Sequence, residues 1–385
     1  MSGDTEQDYF TDGIVEDIIA ALSRMRWLFV IARNSTFTYK GSAVDVKQVG
    51  RELGVRYVLE GSLRKAENRV RISGRLIDVS SGVYLWADRI DGTFEDIFSL
   101  QDQVTASVVA AIAPKLELAE IERAKRKPTE SLDAYEYFLR AMANFHQGTK
   151  DSVNEALRLF YKALELDPDF SAAYGMAAWC FVRRRVNAWT ADRKQETAEA
   201  SRLARRAVEL GKDDAVALCG GANALAVIVH DFDAADDFIE RALLLNPNLA
   251  AAWSVGGWVK IYIGEPEVAI EYEGRAMRLS PLDPFSYVMQ AGTAFAHFFA
   301  GRDDEASSWA QRAIRQQPYF LPAIRIFAAS CAYLGRLEDA KRAIKRLAQL
   351  NPGQPGFSPE RRLPFRRPQD AARYQEGMRK AGLPE

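Results

Sequence analysis

The sequence has few residues of the kinds that build most catalytic centres. Three histidines and three cysteines occur among 385 residues, and no CxxC, HExxH, GxSxG, GxGxxG or GxxxxGK[ST] motif is present. His146, His230 and His297 stand apart from one another, which is typical of packing or surface residues rather than of metal ligands. We therefore expect no catalytic residue, no metal and no cofactor in this chain.

Charge and hydropathy give little sign of a nucleic-acid or membrane partner. The formal net charge is -1, whereas nucleic-acid binding needs a dense basic face. No run of about 18 apolar residues occurs, and no cationic start followed by an apolar stretch marks a signal peptide. Cys180, Cys219 and Cys331 show no metal-ligand spacing, so we expect reduced, buried thiols in a cytoplasmic protein.

What the sequence does have is a long-range repeat of small residues and turn formers. Six alanines recur at spacings of 34 to 44 residues: Ala156, Ala200, Ala235, Ala269, Ala306 and Ala340. Prolines follow five of these alanines by twelve residues: Pro168, Pro247, Pro281, Pro318 and Pro352. Gly264, Gly301 and Gly335 each precede an alanine by five residues. A small residue at each helix crossing, a glycine in the turn and a proline after the second helix are typical of tetratricopeptide repeats.

The repeat predicts six helix pairs over residues 131–352. Additional residues around 186–195 lengthen the second pair, and residues 282–284 lengthen a later connection, and both are expected to form surface loops. The tail, residues 353–385, carries Arg361, Arg362, Arg366 and Arg367. A short helix from Pro368 to Lys380 follows, and we expect it to cap the apolar end of the stack.

Residues 1–118 differ from the rest in their hydrophobic periodicity, which predicts a small α/β domain with a mixed sheet and helices on one side. Helical periodicity is present at Thr11–Arg24, Val44–Leu53 and Phe94–Leu118. Strands are predicted at Trp27–Ala32, in a hairpin over residues 55–76 that turns near Glu67 and Asn68, and at Tyr84–Arg89. Residues 119–130 are charged and contain Pro128, which predicts a linker or the frayed end of the last helix. The predicted fold class is thus an α/β amino-terminal domain followed by an all-α tetratricopeptide superhelix.

Four sequence blocks resemble the TolB-like amino-terminal domain of bacterial signalling proteins: YFTDGIVEDIIAALSR, FVIARNSTF, VGRELGVRYVLEGSLRK and GVYLWADRIDG. In that family the domain is followed by tetratricopeptide repeats, and the resemblance extends to the closing RKAGLPE. It implies a non-catalytic region, because family members carry their effector ahead of it. That effector is often a class III adenylate or guanylate cyclase domain or a winged-helix transcription domain, and neither is present in this sequence.

The start of the chain departs from the family pattern. The family has an apolar strand before the segment that resembles SGDTEQDYF, whereas here Met1 directly precedes Ser2. A sheet without that strand would expose backbone groups and an apolar face. Either the natural start lies upstream, or a partner covers the edge.

The predicted hairpin carries five arginines on its solvent-facing side: Arg56, Arg64, Arg69, Arg71 and Arg75. Guanidinium groups of this density could hold a phosphate or an acidic partner segment. The alternative is cross-strand pairing with Glu60 and Asp78 on a water-facing sheet. Asp78, Asp88 and Asp91 fall at turns and strand ends, which does not match the paired carboxylates of a two-metal cyclase.

The first helices of the repeats predict an aromatic, nearly uncharged groove. Its lining is Phe145, Trp179, Trp258, Ile261, Tyr262, Phe295, Phe298, Phe299 and Tyr333. Such a groove suits an apolar or helical peptide, a second copy of the chain or the protein's own first domain, and it suits an acidic tail poorly. Alternatively, individual rings simply fill space between helices.

Two classes of function remain open from the sequence. The first is a non-enzymatic scaffold or adaptor in cytoplasmic signalling that binds a protein or peptide through the groove. The second is the regulatory half of a class III cyclase, or of a winged-helix transcription regulator, whose effector domain lies upstream of Met1.

Overall fold

The structure is a computed structural model that describes residues 5–25, 28–31, 33–41, 44–66, 69–93, 97–125, 133–281, 283–350 and 365–383. The chain divides into two compact units, Met1–Arg123 and Ala124–Glu385. Several predicted features lie outside the described residues: Met1, Ser2, Trp27, Ala32, Glu67, Asn68, Phe94, Pro128, Leu282, Pro352, Arg361 and Arg362. Among the helices in the described ranges, none combines the length and the apolarity that crossing a bilayer needs.

The first unit places helices before and after three strands. Its elements are α1 (Thr5–Ser23), α2 (Arg33–Thr36), a 3₁₀ turn (Phe37–Tyr39), α3 (Val46–Leu53), β1 (Tyr57–Ala66), β2 (Arg69–Asp78), β3 (Tyr84–Thr93) and α4 (Ile97–Lys125). Asp45 caps α3 by accepting a hydrogen bond from the Lys47 amide, and Gly54 ends α3 at a φ of 65°. Because α4 continues to Lys125, residues 119–125 belong to the end of the last helix, the second of the two alternatives for this stretch.

The sheet is antiparallel in the order β1-β2-β3, so the prediction of a mixed sheet is wrong for the described residues. Three consecutive strands joined by short turns can pair only in this way, because a parallel pair needs a long crossover connection. The register sets Leu59 opposite Leu76 and Ile72 opposite Ile90. The alternation of apolar and charged side chains predicted for the hairpin is confirmed along β2, where Val70 is buried and Arg71 is exposed.

One apolar cluster holds the first unit together. It joins buried residues of α1, β2 and α4: Ile14, Ile18, Leu22, Val70, Ile72, Leu76, Val104, Val108 and Ile112. The strand predicted at Trp27–Ala32 is wrong in its described part, because residues 28–31 have irregular backbone. Leu28 instead donates its amide to the Met25 carbonyl at 2.9 Å, and this run pairs with none of the described strands.

The second unit is a succession of helix pairs. The first helices are α5 (Ala134–Gln147), α7 (Ser171–Val186), α9 (Ala215–Ala224), α11 (Ala250–Ile263), α13 (Ser286–Phe299) and α15 (Leu321–Tyr333). The second helices are α6 (Lys150–Leu166), α8 (Arg193–Leu210), α10 (Phe232–Leu245), α12 (Pro266–Leu279), α14 (Asp303–Gln316) and α16 (Leu337–Leu350). A π-helical turn, Leu225–Val229, extends α9, and α17 (Pro368–Lys380) follows the last described pair.

The residues that set the repeat occupy the positions their chemistry requires. All six repeat alanines are 0% exposed on the second helices, so each methyl group is enclosed by close-packed neighbours. Gly264, Gly301 and Gly335 end first helices at φ values of 92°, 78° and 71°, a conformation that favours glycine. Each first helix from α7 onward packs against the next first helix, and each second helix packs against the first helix of the following pair.

A leucine at a repeat alanine should destabilise the stack. We expect Ala200→Leu to lower the free energy of unfolding by about 1–3 kcal/mol, because the added methylenes meet a close-packed helix crossing. Ala198→Leu is the matched control, since Ala198 is exposed on the same helix and its substitution should change stability by less than about 0.5 kcal/mol. Urea denaturation followed by circular dichroism measures both, and equal effects would contradict the assigned crossing.

Candidate functional site

The nine residues of the predicted groove fall into two groups. Five are buried: Phe145, Ile261, Tyr262, Phe295 and Phe298. Four are half-buried: Trp179, Trp258, Phe299 and Tyr333. The buried group is enclosed by its own chain, since apolar rings exclude water when they pack together. Burial of these five fits the alternative that individual side chains fill space between helices, and partner binding by the groove stays a prediction.

One part of the predicted groove is closed by a contact between early and late repeats. Arg183 of α7 is only 5% exposed, and its guanidinium lies 3.8 Å from the ring centre of Phe285. Its Nη1 donates a 2.7 Å hydrogen bond to Tyr287 Oη in α13. The ring centres of Phe145 and Phe285 are 5.5 Å apart. The second and fifth pairs are therefore joined by a cation on aromatic rings, an attractive arrangement when water is excluded.

Another part of the groove is covered by residues 365–383, which we call the C-terminal segment. The Arg366 amide donates to the Tyr262 carbonyl at 2.7 Å, and Arg367 Nη1 donates to the Gly264 carbonyl at 2.7 Å. These carbonyls lie at the end of α11, where the last turn of a helix lacks internal donors. The segment thus supplies hydrogen bonds that a helix end cannot make for itself.

Arg373 makes the most extensive contact of the segment. Its Nε donates to the Phe298 carbonyl at 2.9 Å, and its Nη2 donates to both carboxylate oxygens of Asp303 at 2.6 and 2.8 Å. The guanidinium also lies 4.5 Å from the ring centre of Phe298 and 4.2 Å from that of Tyr333. Arg373 therefore neutralises the negative end of α13 and the first carboxylate of α14 together.

Two rings of the segment complete the cover. Phe365 lies 4.8 Å from Phe299, and Tyr374 lies 5.9 Å from Phe295, between ring centres. Tyr374 is 5% exposed. We call the surface they cover, the carboxyl-terminal ends of α11, α13 and α15, the helix-end surface.

The interpretation of α17 as a cap stays a prediction. α17 packs principally against α15, the first helix of the last described pair, and through Tyr374 it reaches α13. Buried residues of α17, such as Met378, share one apolar cluster with residues of α15 and α16. Cover of the last pair is what a capping helix provides.

A buried carboxyl lies between the fourth and fifth pairs. Glu273 of α12 is 0% exposed, and among the described residues the Ser254 side chain is the group that opposes the effect of burial on its carboxyl. A Cβ added at Gly257 or Gly292 would meet the Glu273 side chain at 2.9 or 2.2 Å, so both glycines make room for it. The indole Nε1 of Trp258, near the same space, has no hydrogen-bond partner in the described part of the chain. Burial raises the pKa of Glu273 well above its ordinary value of 4.5.

The arginines of the sheet have several partners, and Arg71 and Arg69 of β2 both lower the pKa of Asp91. Arg56 pairs with Glu120 of α4, and Arg71 Nε lies 2.7 Å from Asp91 Oδ1 on β3. The hydrogen bond from Arg71 lowers the pKa of Asp91. These carboxylates differ from the predicted partners, Glu60 and Asp78.

The remaining arginines and Asp78 have other surroundings. Arg75 lies 5.9 Å from the ring centre of Tyr84, and Arg64 stands opposite Arg71 in the register. Asp78 accepts hydrogen bonds from the amides of Ser80 and Ser81 in the following turn. Anion binding by this face therefore stays a prediction.

The histidines and cysteines give no metal site in the part of the chain that is described. No group of three or more metal-ligating side chains occurs there. His297 Nδ1 accepts a 3.0 Å hydrogen bond from Arg302, and burial lowers the pKa of this histidine. Cys180, Cys219 and Cys331 are free and buried, as expected, and burial raises the pKa of each thiol.

Comparison with known proteins adds one relative by sequence. No family model matches the chain. Over 209 residues, or 54% of its length, the chain is 44% identical to the protein named Putative adenylate cyclase 3 of Rhizobium meliloti (strain 1021). The chain spans about a third of that relative, 36% of its length.

Solved structures give partial likenesses to helical repeat proteins. A thermophilic TPR protein of Thermus thermophilus is 18% identical with a TM-score of 0.40, covering 51% of this chain and 98% of that one. YrrB, described as a TPR protein with an unusual peptide-binding site, is 22% identical with a TM-score of 0.33, covering 51% and 93%. PilF of Pseudomonas aeruginosa is 17% identical with a TM-score of 0.39, covering 57% and 93%.

The titration of Glu273 should make stability depend on pH. A carboxyl whose pKa is raised by folding stabilises the folded state below its ordinary pKa of 4.5, and this contribution is lost as pH rises toward the folded-state pKa. We expect Glu273→Gln to have little effect near pH 4 and to be more stable than the wild type at pH 8, by about 1 kcal/mol or more.

Glu271→Gln is the control for this measurement, because Glu271 is exposed on the same helix. Thermal unfolding from pH 4 to pH 8 compares the three chains. A Glu273→Gln difference that stays constant with pH would show that this carboxyl does not titrate as assigned.

Proposed function

We propose that the chain is a non-enzymatic protein-interaction scaffold of the tetratricopeptide type, acting in the cytoplasm. The observation that supports this most directly is the seating of the C-terminal segment on the helix-end surface. That surface holds a helix from elsewhere in the chain through backbone carbonyls, the Asp303 carboxylate and aromatic rings. An aromatic groove is one surface on which the apolar face of an amphipathic helix packs.

Loss of half-buried rings from the helix-end surface should remove partner binding. We expect Phe299→Ala and Tyr333→Ala to abolish capture of the proteins that the wild-type chain retains from a lysate of its own organism, because a few large side chains carry most of the binding energy of an interface. Tyr319→Ala is the matched control, since Tyr319 is 66% exposed outside this surface. Affinity capture with mass spectrometry measures the result, alongside melting temperatures. Unchanged capture by the two folded variants would contradict the proposal.

A second candidate is the regulatory part of a nucleotide cyclase. The identity with the Rhizobium meliloti relative favours it, and catalysis would then reside in the part of such a protein that this chain does not span. The regulatory part of a winged-helix transcription regulator has less support. The Rhizobium meliloti relative is named as a cyclase and not as a transcription regulator.

Cyclase assays separate the two candidates. We expect the purified chain to form no cyclic nucleotide from ATP or GTP with Mg²⁺ or Mn²⁺, because no described cluster of carboxylates could hold the metal ions. Turnover by the chain alone would overturn the non-enzymatic proposal. The uncovered part of the Rhizobium meliloti relative, assayed with and without this chain joined to it, tests regulation. A changed rate of cyclic AMP formation would support the second candidate.

A further inference from the structure

The second and third helix pairs each depart from the regular repeat. Residues 187–192 connect α7 to α8, which is a longer connection than within any later pair, and Ala188 in it has a φ of 58°. In the third pair His230, at a φ of 64°, stands five residues before Ala235, where the later pairs have glycine. Left-handed backbone is strained for any residue with a Cβ, and such strain concentrates at functional sites.

A π-helical turn also changes the third pair. The turn, Leu225–Val229, continues α9, and the His230 amide donates to the Leu225 carbonyl five residues before it. A π-helical turn inside a helix is rare and is found frequently at functional sites. This turn places Ile228 and Val229 beside the first turns of α8.

An open pocket of about 620 Å³ lies between the π-helical turn and α8. Pockets that bind small molecules have volumes of about 300–1,000 Å³ and combine apolar walls with a few polar groups. This pocket has both kinds of lining: Arg193, Lys194, Thr197, Ala198, Ser201, Ile228 and Val229. Its size and lining therefore suit a small organic molecule with one polar end.

The polar end of the pocket is positive. Arg193 and Lys194 are the first two residues of α8, where cations oppose the helix dipole, so their placement costs helix stability. The carboxylates nearest in sequence are already engaged, because Asp192 accepts a backbone amide as the N-cap and Glu196 pairs with Arg184 at 2.7 Å. An anion in the pocket would therefore meet cations that the chain itself does not neutralise.

A third cation lies behind this end of the pocket. Arg185 Nη2 donates a 2.8 Å hydrogen bond to Oγ1 of Thr197, which lines the pocket. Arg185 Nε is buried and has no hydrogen-bond partner within the described ranges. Burial and the nearby charge of Arg193 lower the pKa of Arg185. A bound anion would offset this repulsion, because it adds negative charge to a cluster of cations.

We propose that the pocket between α8 and the π-helical turn binds a small organic phosphate, with the phosphate at Arg193 and Lys194 and the apolar body against the turn. A phosphate ester carries about −1.5 to −2 charge at pH 7, which matches two cations. Its oxygens can also accept hydrogen bonds from the hydroxyl groups of Thr197 and Ser201. The pocket is separate from the helix-end surface, so its test does not depend on the proposed function.

Three probes separate the two ends of the pocket in isothermal titration calorimetry of the full chain. Phenyl phosphate carries an anion and an apolar ring, inorganic phosphate carries only the anion, and benzyl alcohol carries only the ring. We expect phenyl phosphate to bind about tenfold more tightly than either of the others. Equal binding of inorganic phosphate would overturn the role of the apolar wall, and equal binding of benzyl alcohol would overturn the role of the cations. Absence of phenyl phosphate binding would overturn the site itself.

Charge reversal at the start of α8 tests the positive end. We expect Lys194→Glu to weaken phenyl phosphate binding about tenfold, because repulsion replaces attraction. The variant should stay folded, since a carboxylate is favourable in the first turn of a helix. Lys212→Glu is the matched control, because Lys212 is exposed beyond the opposite end of α8, and it should bind as the wild type does. Equal losses in both variants would assign the effect to net charge and overturn the site.

A bulky residue in the pocket tests the position of the ligand without changing the charge. Ala198 is exposed and lines the pocket, so Ala198→Trp should leave the melting temperature nearly unchanged while its ring occupies part of the space. We expect phenyl phosphate to bind this variant about tenfold more weakly than the wild type. Unchanged binding would show that the ligand lies elsewhere and would overturn the proposal.

Discussion

The second unit depends on close approach of its helices at six alanine positions. Each alanine is fully buried at a helix crossing, so neighbouring backbones come nearer than larger side chains would permit. These close contacts recur at similar intervals along the chain. Successive helix pairs therefore stack in the same way, and their first helices lie side by side. Because glycines end three of these helices in the same left-handed conformation, their carboxyl-terminal ends are presented in the same way. The helix-end surface is a consequence of this regular packing.

Side-by-side helix ends leave carbonyls and aromatic rings that need partners, and the chain supplies many of these itself. Arg183 joins the second pair to the fifth, while Arg373 and Phe365 cover the fourth to the sixth. In both places a guanidinium lies on aromatic rings and also satisfies an oxygen. Arginine suits this position because its planar group stacks and donates several hydrogen bonds at once. The surface predicted to bind a foreign helix is thus already seen binding a helix of its own.

Sequence analysis predicted the features that depend on local, recurring interactions, and it missed those that depend on contacts between residues far apart in the chain. The alanine, glycine and proline spacings predicted the succession of helix pairs, because helix crossings and turns are local and recur. The strand at Trp27–Ala32 was wrong in its described part, since a strand needs a neighbour and composition does not say whether one exists. A contact such as that of Arg183 with Tyr287, which are 104 residues apart, cannot be recognised from the periodicity of the sequence. The burial of Phe298 by Arg373 was missed for the same reason, although the aromatic and basic pattern of residues 365–380 was a visible signal.

The placement of perturbed ionisable groups bears on the choice between binding and catalysis. Catalytic groups owe their altered pKa to burial or charge within a cleft that substrate enters. Here burial shifts the pKa of Glu273, Cys180 and Cys219, yet all three lie enclosed between packed helices. Their altered pKa values are therefore consequences of packing, with Glu273 fitted between two glycines. The half-buried rings Trp179, Trp258, Phe299 and Tyr333 lie apart from these perturbed groups in kind, because they carry no charge and only partial burial.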